Sequence, residues 1–329
     1  MNKKIPDKMI SRREEFIGRV IDILLDAGFI VSEKCTITPR CFDIVAKRDA
    51  LSLILKILLN IDSIKEDIVK EIKKLASKIF AHPLLIGEKA GNLYMKQDVV
   101  YCRWGIPALN IDTFRDCVIN GIFPIVYAER GGYYIKIDGE KLSLARKERN
   151  ISIGNFASML GVSRRTVSKY EEGMKTTVDI AINLEKILKA ELIKEINIFS
   201  DDIIEYNPEE DDKAIIKDKI PMLERKMIKH LINMGLDISL INYSPFNVLS
   251  KIKDEIILTG VTHLDNMALK KAKLTSSISF VIDRPAMFIL DKEPPMNKID
   301  DIIMLHKDDM KYMKDIEDLI ELISNRKAS

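Results

Sequence analysis

The chain has 329 residues, 47% of them hydrophobic and 31% charged, which predicts two or three domains with real cores and excludes a disordered or fibrous protein. Its net charge is only +2 at pH 7, so any affinity for nucleic acid must come from a local basic patch. The most apolar run, Leu51–Ile61, is interrupted by Lys56 and too short to span a bilayer, so no membrane partner is expected.

Residues 8–27 predict an amphipathic helix, with Phe16, Val20, Ile23, Leu24 and Ala27 at helical spacing and Gly28 as its stop. Three β-rich stretches follow at Phe29–Ile37, Cys41–Lys47 and Leu51–Leu59. A helix at Ser63–Phe80 carries Ile64, Ile68, Ile72, Leu75 and Ile79, and a strand follows at Leu84–Ile86. Residues 1–90 thus read as one α/β domain. Residues 91–140 connect onward through a helix near Asp112–Val118 and two strand-like runs, Pro124–Ala128 and Tyr133–Ile137. These flank Glu129-Arg130-Gly131-Gly132, a hairpin turn.

Residues 141–199 read as a five-helix unit. After a helix at Leu142–Arg149, Ser152 caps a second one that reaches Leu160 and turns Phe156, Ala157 and Leu160 inward. Gly161-Val162 makes the turn between crossing helices, where positive φ favours glycine. Ser163 caps a third helix, Arg164–Glu172, with Val167 and Tyr170 inward; Gly173 ends it. Val178, Ala181, Leu184 and Leu188 mark the next. Between Lys141 and Lys175, eight basic residues stand against three acidic ones, an excess of +5 in a chain that is otherwise near neutral.

Seven acidic and no basic residues lie between Asp201 and Asp212, predicting a solvated linker over 200–212. Residues 213–329 then repeat the opening order: helix Leu223–Met234 stopped by Gly235, strands at Leu236–Asn242, Phe246–Lys251 and Glu255–Leu258, and helix Leu264–Leu274. Phe42-Asp43-Ile44-Val45-Ala46-Lys47 aligns with Phe246-Asn247-Val248-Leu249-Ser250-Lys251, which suggests an internal repeat. A packing helix at Met310–Ser324 closes the chain.

The run Ala157-Ser-Met-Leu-Gly-Val-Ser-Arg-Arg-Thr-Val-Ser-Lys-Tyr-Glu-Glu-Gly173 resembles the Cro/lambda-repressor type of helix-turn-helix. That resemblance implies a third helix in the major groove of double-stranded DNA, and binding as a homodimer. It implies base contacts from Arg164, Arg165 and Lys169, and backbone contacts from Ser163, Thr166 and Ser168. It also implies a structural ion pair between Arg146 and Glu171. The family usually has Gln where this chain has Ile153, so Ser152, Asn155 and Lys175 are expected to carry the backbone contacts that Gln would make. Trp104-Gly-Ile-Pro-Ala-Leu-Asn110, the Tyr127–Tyr134 hairpin and Ile137-Asp-Gly-Glu140 extend the likeness to a family of archaeal helix-turn-helix transcriptional regulators over nearly the whole chain.

The first α/β segment resembles the PD-(D/E)xK nuclease layout: a leading helix with Glu15, then Asp43, then a strand ending at Lys56. Such chemistry needs carboxylates on adjacent strands to hold a divalent metal, with Lys to orient water. Here Ile54 stands at the second acidic position, and in the second α/β segment Asn247 and Gly260 replace Asp and Lys. The fold class expected is therefore α/β plus all-α: two restriction-endonuclease-like domains flanking a β-hairpin and the helical unit. Glu15, Asp43 and Lys56 are the candidates for a vestigial site, and Asp43 with Lys56 reads equally as an ordinary ion pair at a strand end.

Cys35, Cys41, Cys102 and Cys117 form no C-x-x-C pair, and the four histidines are scattered, so neither a disulfide framework nor a metal site is expected. The reading is a cytoplasmic, sequence-specific DNA-binding regulator, a homodimer that is not an enzyme and has no cofactor. Its flanking domains would serve dimer contacts or sense a small-molecule or protein effector. The alternatives are a metal-dependent nuclease and a DNA-associated protein-docking scaffold.

Overall fold

In the computed structural model, which describes residues 7–200, 220–252, 255–312 and 317–319, helix α1 spans Asp7–Asp26 and buries Phe16, Ile17, Val20, Ile23 and Leu24. Those positions recur every three or four residues, and Gly28 (φ 78°) ends the run. Strand β1 is only Ile30–Val31, shorter than the run 29–37, because Ser32 accepts the Val45 N–H on its own hydroxyl. Strands β2 (Ile44–Arg48) and β3 (Leu51–Asn60) form an antiparallel hairpin in the register Ile44↔Leu55. Helix α2 is Glu66–Ile79, and it buries Val69 rather than Ile68. Strand β4 follows at His82–Ala90.

Strands β5 (Leu93–Tyr94), β6 (Val99–Arg103) and β7 (Ile106–Leu109) were not anticipated by periodicity. β6 and β7 turn on Trp104 and Gly105, at φ 53° and 74°, the two positive values of a primed hairpin turn. β4 pairs in parallel with β7 (Leu85↔Ala108), so the residues either side of position 90 are joined by ladder hydrogen bonds. Helix α3 (Ile111–Arg115), capped by Asn110, runs on into a π turn at Asp116–Asn120. The expected hairpin forms from β8 (Val126–Glu129) and β9 (Gly132–Ile135).

Helices α4 (Gly139–Glu148), α5 (Ile153–Leu160) and α6 (Arg164–Glu171), strand β10 (Thr176–Thr177) and helix α7 (Val178–Leu188) come next. Among the described residues the unit therefore has four helices, not five. After α7 the chain is extended. Glu185 accepts the N–H groups of Leu192 and Ile193 (2.7 and 3.1 Å), while Lys194 and Ile196 donate to the carbonyls of Lys136 and Pro124. With its donors committed to these partners, the segment cannot close helical turns. Ile135 and Ile137 join Leu142, Phe156, Ala157, Val167, Tyr170, Ala181, Leu184 and Leu188 in one core.

The last segment contains α8 (Met222–Asn233), β11 (Asp237–Leu240), β12 (Val248–Ile252), β13 (Glu255–Thr262), α9 (Asn266–Ile282), β14 (Ala286–Leu290), β15 (Lys298–Ile299), β16 (Ile302–His306) and α10 (Asp309–Tyr312). The antiparallel order β1-β2-β3 recurs as β11-β12-β13, and β4-β7-β6 recurs as β14-β16-β15 with the same strand senses. The acidic stretch 201–212 and most of the expected terminal helix lie outside the described residues.

The described residues fall into two compact units, one from 1–57, 64–84 and 204–329, the other from 58–63 and 85–203. Within the first unit the two α/β segments grip each other reciprocally. Glu71 on α2 accepts the backbone and side-chain N–H groups of Asn242 (2.7 and 2.8 Å), and Ser277 on α9 accepts the Glu33 N–H (2.7 Å). The Cys41 N–H donates to the Tyr243 carbonyl (2.7 Å).

Candidate nucleic-acid interface

Helix α6 starts on Ser163, whose hydroxyl accepts the Thr166 N–H at 3.0 Å and lies 2.8 Å from the Thr166 hydroxyl. Ser152 caps α5 in the same way, accepting from Asn155 at 3.1 Å. Gly161 (φ 68°) ends α5 in the left-handed conformation that the turn requires. Val167 and Tyr170 bury one face of α6, which leaves Arg164, Arg165 and Lys169 exposed on the remainder. Asn155 is also exposed. The Ser168 hydroxyl donates to the Arg164 carbonyl (3.3 Å), so its proton is held within the helix.

The arginine at 164 is seated by α5. A Cβ built on Gly154 would come within 3.1–3.2 Å of the Arg164 guanidinium, so the glycine that weakens the start of α5 leaves space for that side chain. Gly139 has a harder constraint: a Cβ there would sit 2.2 Å from the Glu171 carbonyl oxygen and 2.8 Å from the Gly173 nitrogen. α4 and α6 touch backbone to backbone at this point. Gly139→Ala is expected to lower stability by about 1–3 kcal/mol, seen as a lower denaturation midpoint. An unchanged midpoint would show that α4 and α6 can separate freely.

Arg146 and Glu171 pair as the motif implied. Nε–Oε1 is 2.6 Å and Nη2–Oε2 is 3.3 Å, with the side chains 8% and 15% exposed. Arg146 also donates to the Ile151 carbonyl (2.8 Å), and Ser143 donates to Glu171 (3.2 Å). One guanidinium therefore ties α4, the α4–α5 turn and the end of α6 together.

The Lys175 ammonium lies 3.9 Å from the centre of the Tyr127 ring and pairs with Glu129, both on β8. The hairpin that precedes the helices thus holds the cation that follows α6.

In the first unit, Asp43 and Lys56 come together and Glu15 does not. Asp43 is fully buried; Lys56 is 8% exposed; Glu15 is exposed and makes no ion pair among the described residues. The side chain that α1 sends in is Arg13, with Nη2 2.8 Å from Asp43 Oδ1 and further bonds to the Ile57 carbonyl (3.2 and 3.0 Å). Arg40 Nε adds 2.6 Å to the same oxygen, and Asp43 Oδ2 accepts the Ile57 N–H at 2.8 Å, with Lys56 Nζ at 4.0 Å. Lys56 donates to the Arg40 carbonyl (2.8 Å).

Burial alone would push the Asp43 carboxyl up, but Lys56, Arg13, Arg40 and the Ile57 N–H together hold it below the usual carboxylate range. Burial, reinforced by the two guanidinium groups, pushes the Lys56 ammonium down against the opposing pull of Asp43. Ile54, two positions before Lys56 on the same face of β3, is fully buried. These residues do not fit a divalent metal: both oxygens of the carboxylate are taken by donors, the local excess charge is positive, and among the described residues no cluster of three His, Cys, Asp or Glu side chains could ligate one.

Sequence reasoning missed Arg13 and Arg40. A signal for Arg13 was present: it shares the helical face of Phe16, Ile17, Val20 and Leu24, so a charge sat on an apolar stripe. No comparable pattern marks Arg40.

Residues 13–124 match the PD-(D/E)XK superfamily domain, and residues 142–193 match the helix-turn-helix family. No solved structure matches the chain. Proteins named "Putative HTH-type transcriptional regulatory protein" are similar over almost their whole length. The one from Methanococcoides burtonii is 37% identical, covering 95% of this chain and 97% of its own. That from Archaeoglobus fulgidus is 36% identical over 94% and 97%, and that from Halobacterium salinarum 32% over 95% and 98%. No helix among the described residues is long and apolar enough to cross a membrane. The chain belongs to this archaeal family of HTH-type transcriptional regulatory proteins.

Proposed function

We propose that the protein regulates transcription by binding double-stranded DNA as a homodimer, with α6 in the major groove. The observation that carries this reading is the split of α6 into a buried face, Val167 and Tyr170, and an exposed one bearing Arg164, Arg165 and Lys169. A guanidinium can bond guanine O6 and N7 together, so Arg164 and Arg165 read base edges and Lys169 supplies a third contact. Ser152, Asn155, Ser163 and Thr166 face the backbone at the starts of α5 and α6, where helix N-termini favour phosphate. Ser168 joins them by turning its hydroxyl away from the Arg164 carbonyl. The two α/β segments arise from an internal repeat and act as a scaffold in a protein that is not an enzyme. The location is the cytoplasm.

The test is a selection of bound duplexes from sheared genomic DNA with Mg²⁺ present. Intact fragments sharing a palindromic half-site motif are expected. Cut DNA would replace the regulator with a nuclease, and no enrichment at low salt would leave a protein-docking role.

Lys175 contributes a backbone contact held in competition with Glu129. Lys175→Ala is expected to weaken all duplexes alike and reduce the salt slope by roughly 0.9. Glu129→Gln should do the opposite, because it releases the ammonium. If Glu129→Gln weakened binding, the hairpin would be presenting Lys175 to DNA rather than restraining it.

A further inference from the structure

The two α/β segments provide an internal comparison. At the position of Asp43 the second segment has Asn247, and its amide performs the structural task alone: Oδ1 accepts the Val261 N–H (2.8 Å) and Nδ2 donates to the Val261 carbonyl (2.9 Å). In the first segment the same two backbone groups, on Ile57, need Asp43 for the N–H and Arg13 for the carbonyl. At the position of Lys56 stands Gly260, and the Phe288 ring fills the space a side chain would take, within 2.4 Å of where its Cβ would lie. Here a neutral amide, itself hydrogen-bonded to Glu224, serves both backbone groups, and a ring takes the place of the lysine.

The first segment keeps a buried carboxylate and three cations instead. Pairing Asp43 with Arg13 would already balance the charge. Arg40 and Lys56 leave an excess of two positive charges on side chains that are 14% and 10% exposed, at a desolvation cost that strand pairing does not require. Burial pushes the Cys35 and Cys41 thiols up, so they stay neutral, and the Glu71 carboxylate makes its hydrogen bonds to Asn242 and no ion pair with these cations among the described residues. Donors are left over as well: Arg13 Nη1 and Arg40 Nη2 have no hydrogen-bond partner among the described residues, and Lys56 uses one of its three N–H groups on the Arg40 carbonyl.

We propose that Arg13, Arg40 and Lys56 form a phosphoryl-binding site, in which fixed cations stand where a nuclease of this fold would place a metal. Asp43 is the internal counter-anion that preorganises the two guanidinium groups, and an incoming phosphoryl group takes the free donors and the excess charge. The site holds the ligand without cleaving it, since no carboxylate is free to position a metal or activate water. It is independent of α6.

The test is equilibrium dialysis of the full chain against labelled inorganic phosphate at fixed pH and ionic strength. One saturable site per chain is expected. Arg40→Gln should weaken it by roughly tenfold or more, a loss of about 1.4 kcal/mol. Asp43→Asn, the residue the second segment already accommodates, should tighten it by removing the competing anion. A purely structural cluster predicts no saturable binding in the wild type, or equal weakening by both variants, and either result overturns the proposal. Should Asp43→Asn fail to fold, wild type against Arg40→Gln still decides. Repeating the dialysis with duplex competitor in the Arg164→Ala/Arg165→Ala background identifies the source. Displacement by duplex assigns the site to DNA backbone phosphate, and retention assigns it to a free phosphoryl compound.

Discussion

Arg146→Ala is expected to destabilise the helical unit by about 3–5 kcal/mol, because it strands the Glu171 carboxylate in a site where only 15% of its side chain is exposed. The loss has further components. The Ile151 carbonyl forfeits its donor, and at its last residue α6 keeps only the Ser143–Glu171 hydrogen bond to α4, beside the backbone contact at Gly139. Chemical denaturation followed by the fluorescence of Trp104, the chain's single tryptophan, which lies in the compact unit 58–63 and 85–203 that contains the helices, would read the shift in midpoint. Replacing both partners, Arg146→Met with Glu171→Leu, should recover much of the loss, since neither charge is then left buried alone. An unchanged midpoint in Arg146→Ala would mean that the ion pair contributes nothing to the fold.

The Arg164→Ala/Arg165→Ala double variant should lose sequence discrimination. Each bidentate contact to guanine contributes about 1–3 kcal/mol, so the preference for the selected motif over random duplex should fall by about 30-fold or more. Non-specific affinity should fall less, since Lys169, Lys175 and the helix caps are untouched. The variant should also fold normally: both side chains are exposed, and the pocket that Gly154 leaves for Arg164 would simply empty. Competition titrations with motif and scrambled duplexes at fixed salt would measure this. Equal loss on both duplexes would remove the base-reading role from α6 and leave its arginines as phosphate contacts.

The helical unit was the most legible part of this chain because its information is local. Caps at Ser152 and Ser163, the turn glycine at 161 and the apolar positions Phe156, Ala157, Val167 and Tyr170 all act within one or two helical turns, so periodicity and capping rules reach them. The same holds for α1, α7 and the hairpin β2–β3. What failed was what depends on partners far along the chain. β6 and β7 are short runs that become strands because β4 offers a parallel edge, and a two-residue turn at Trp104-Gly105 has no composition signature of its own. The chain after α7 is extended rather than helical because the carbonyls of Pro124 and Lys136, together with Glu185, accept its N–H groups.

By itself, the sequence determined the helix-turn-helix, its cap residues, the Arg146–Glu171 pair and the paired order of elements in the two α/β segments. The ion pair follows from the resemblance to the Cro/lambda-repressor motif, and the others from spacing within a segment or from likeness between segments. Only the tertiary structure decided that Arg13 and Arg40 join Lys56 at the Asp43 site. Arg13, Arg40 and Lys56 are separated by up to 43 positions, and they converge because α1, the turn before β2, and β3 all meet at one buried carboxylate. Charge at such a point is set by convergence in space, which composition and periodicity do not encode: a chain of net charge +2 can bury an excess of the same size at a single site.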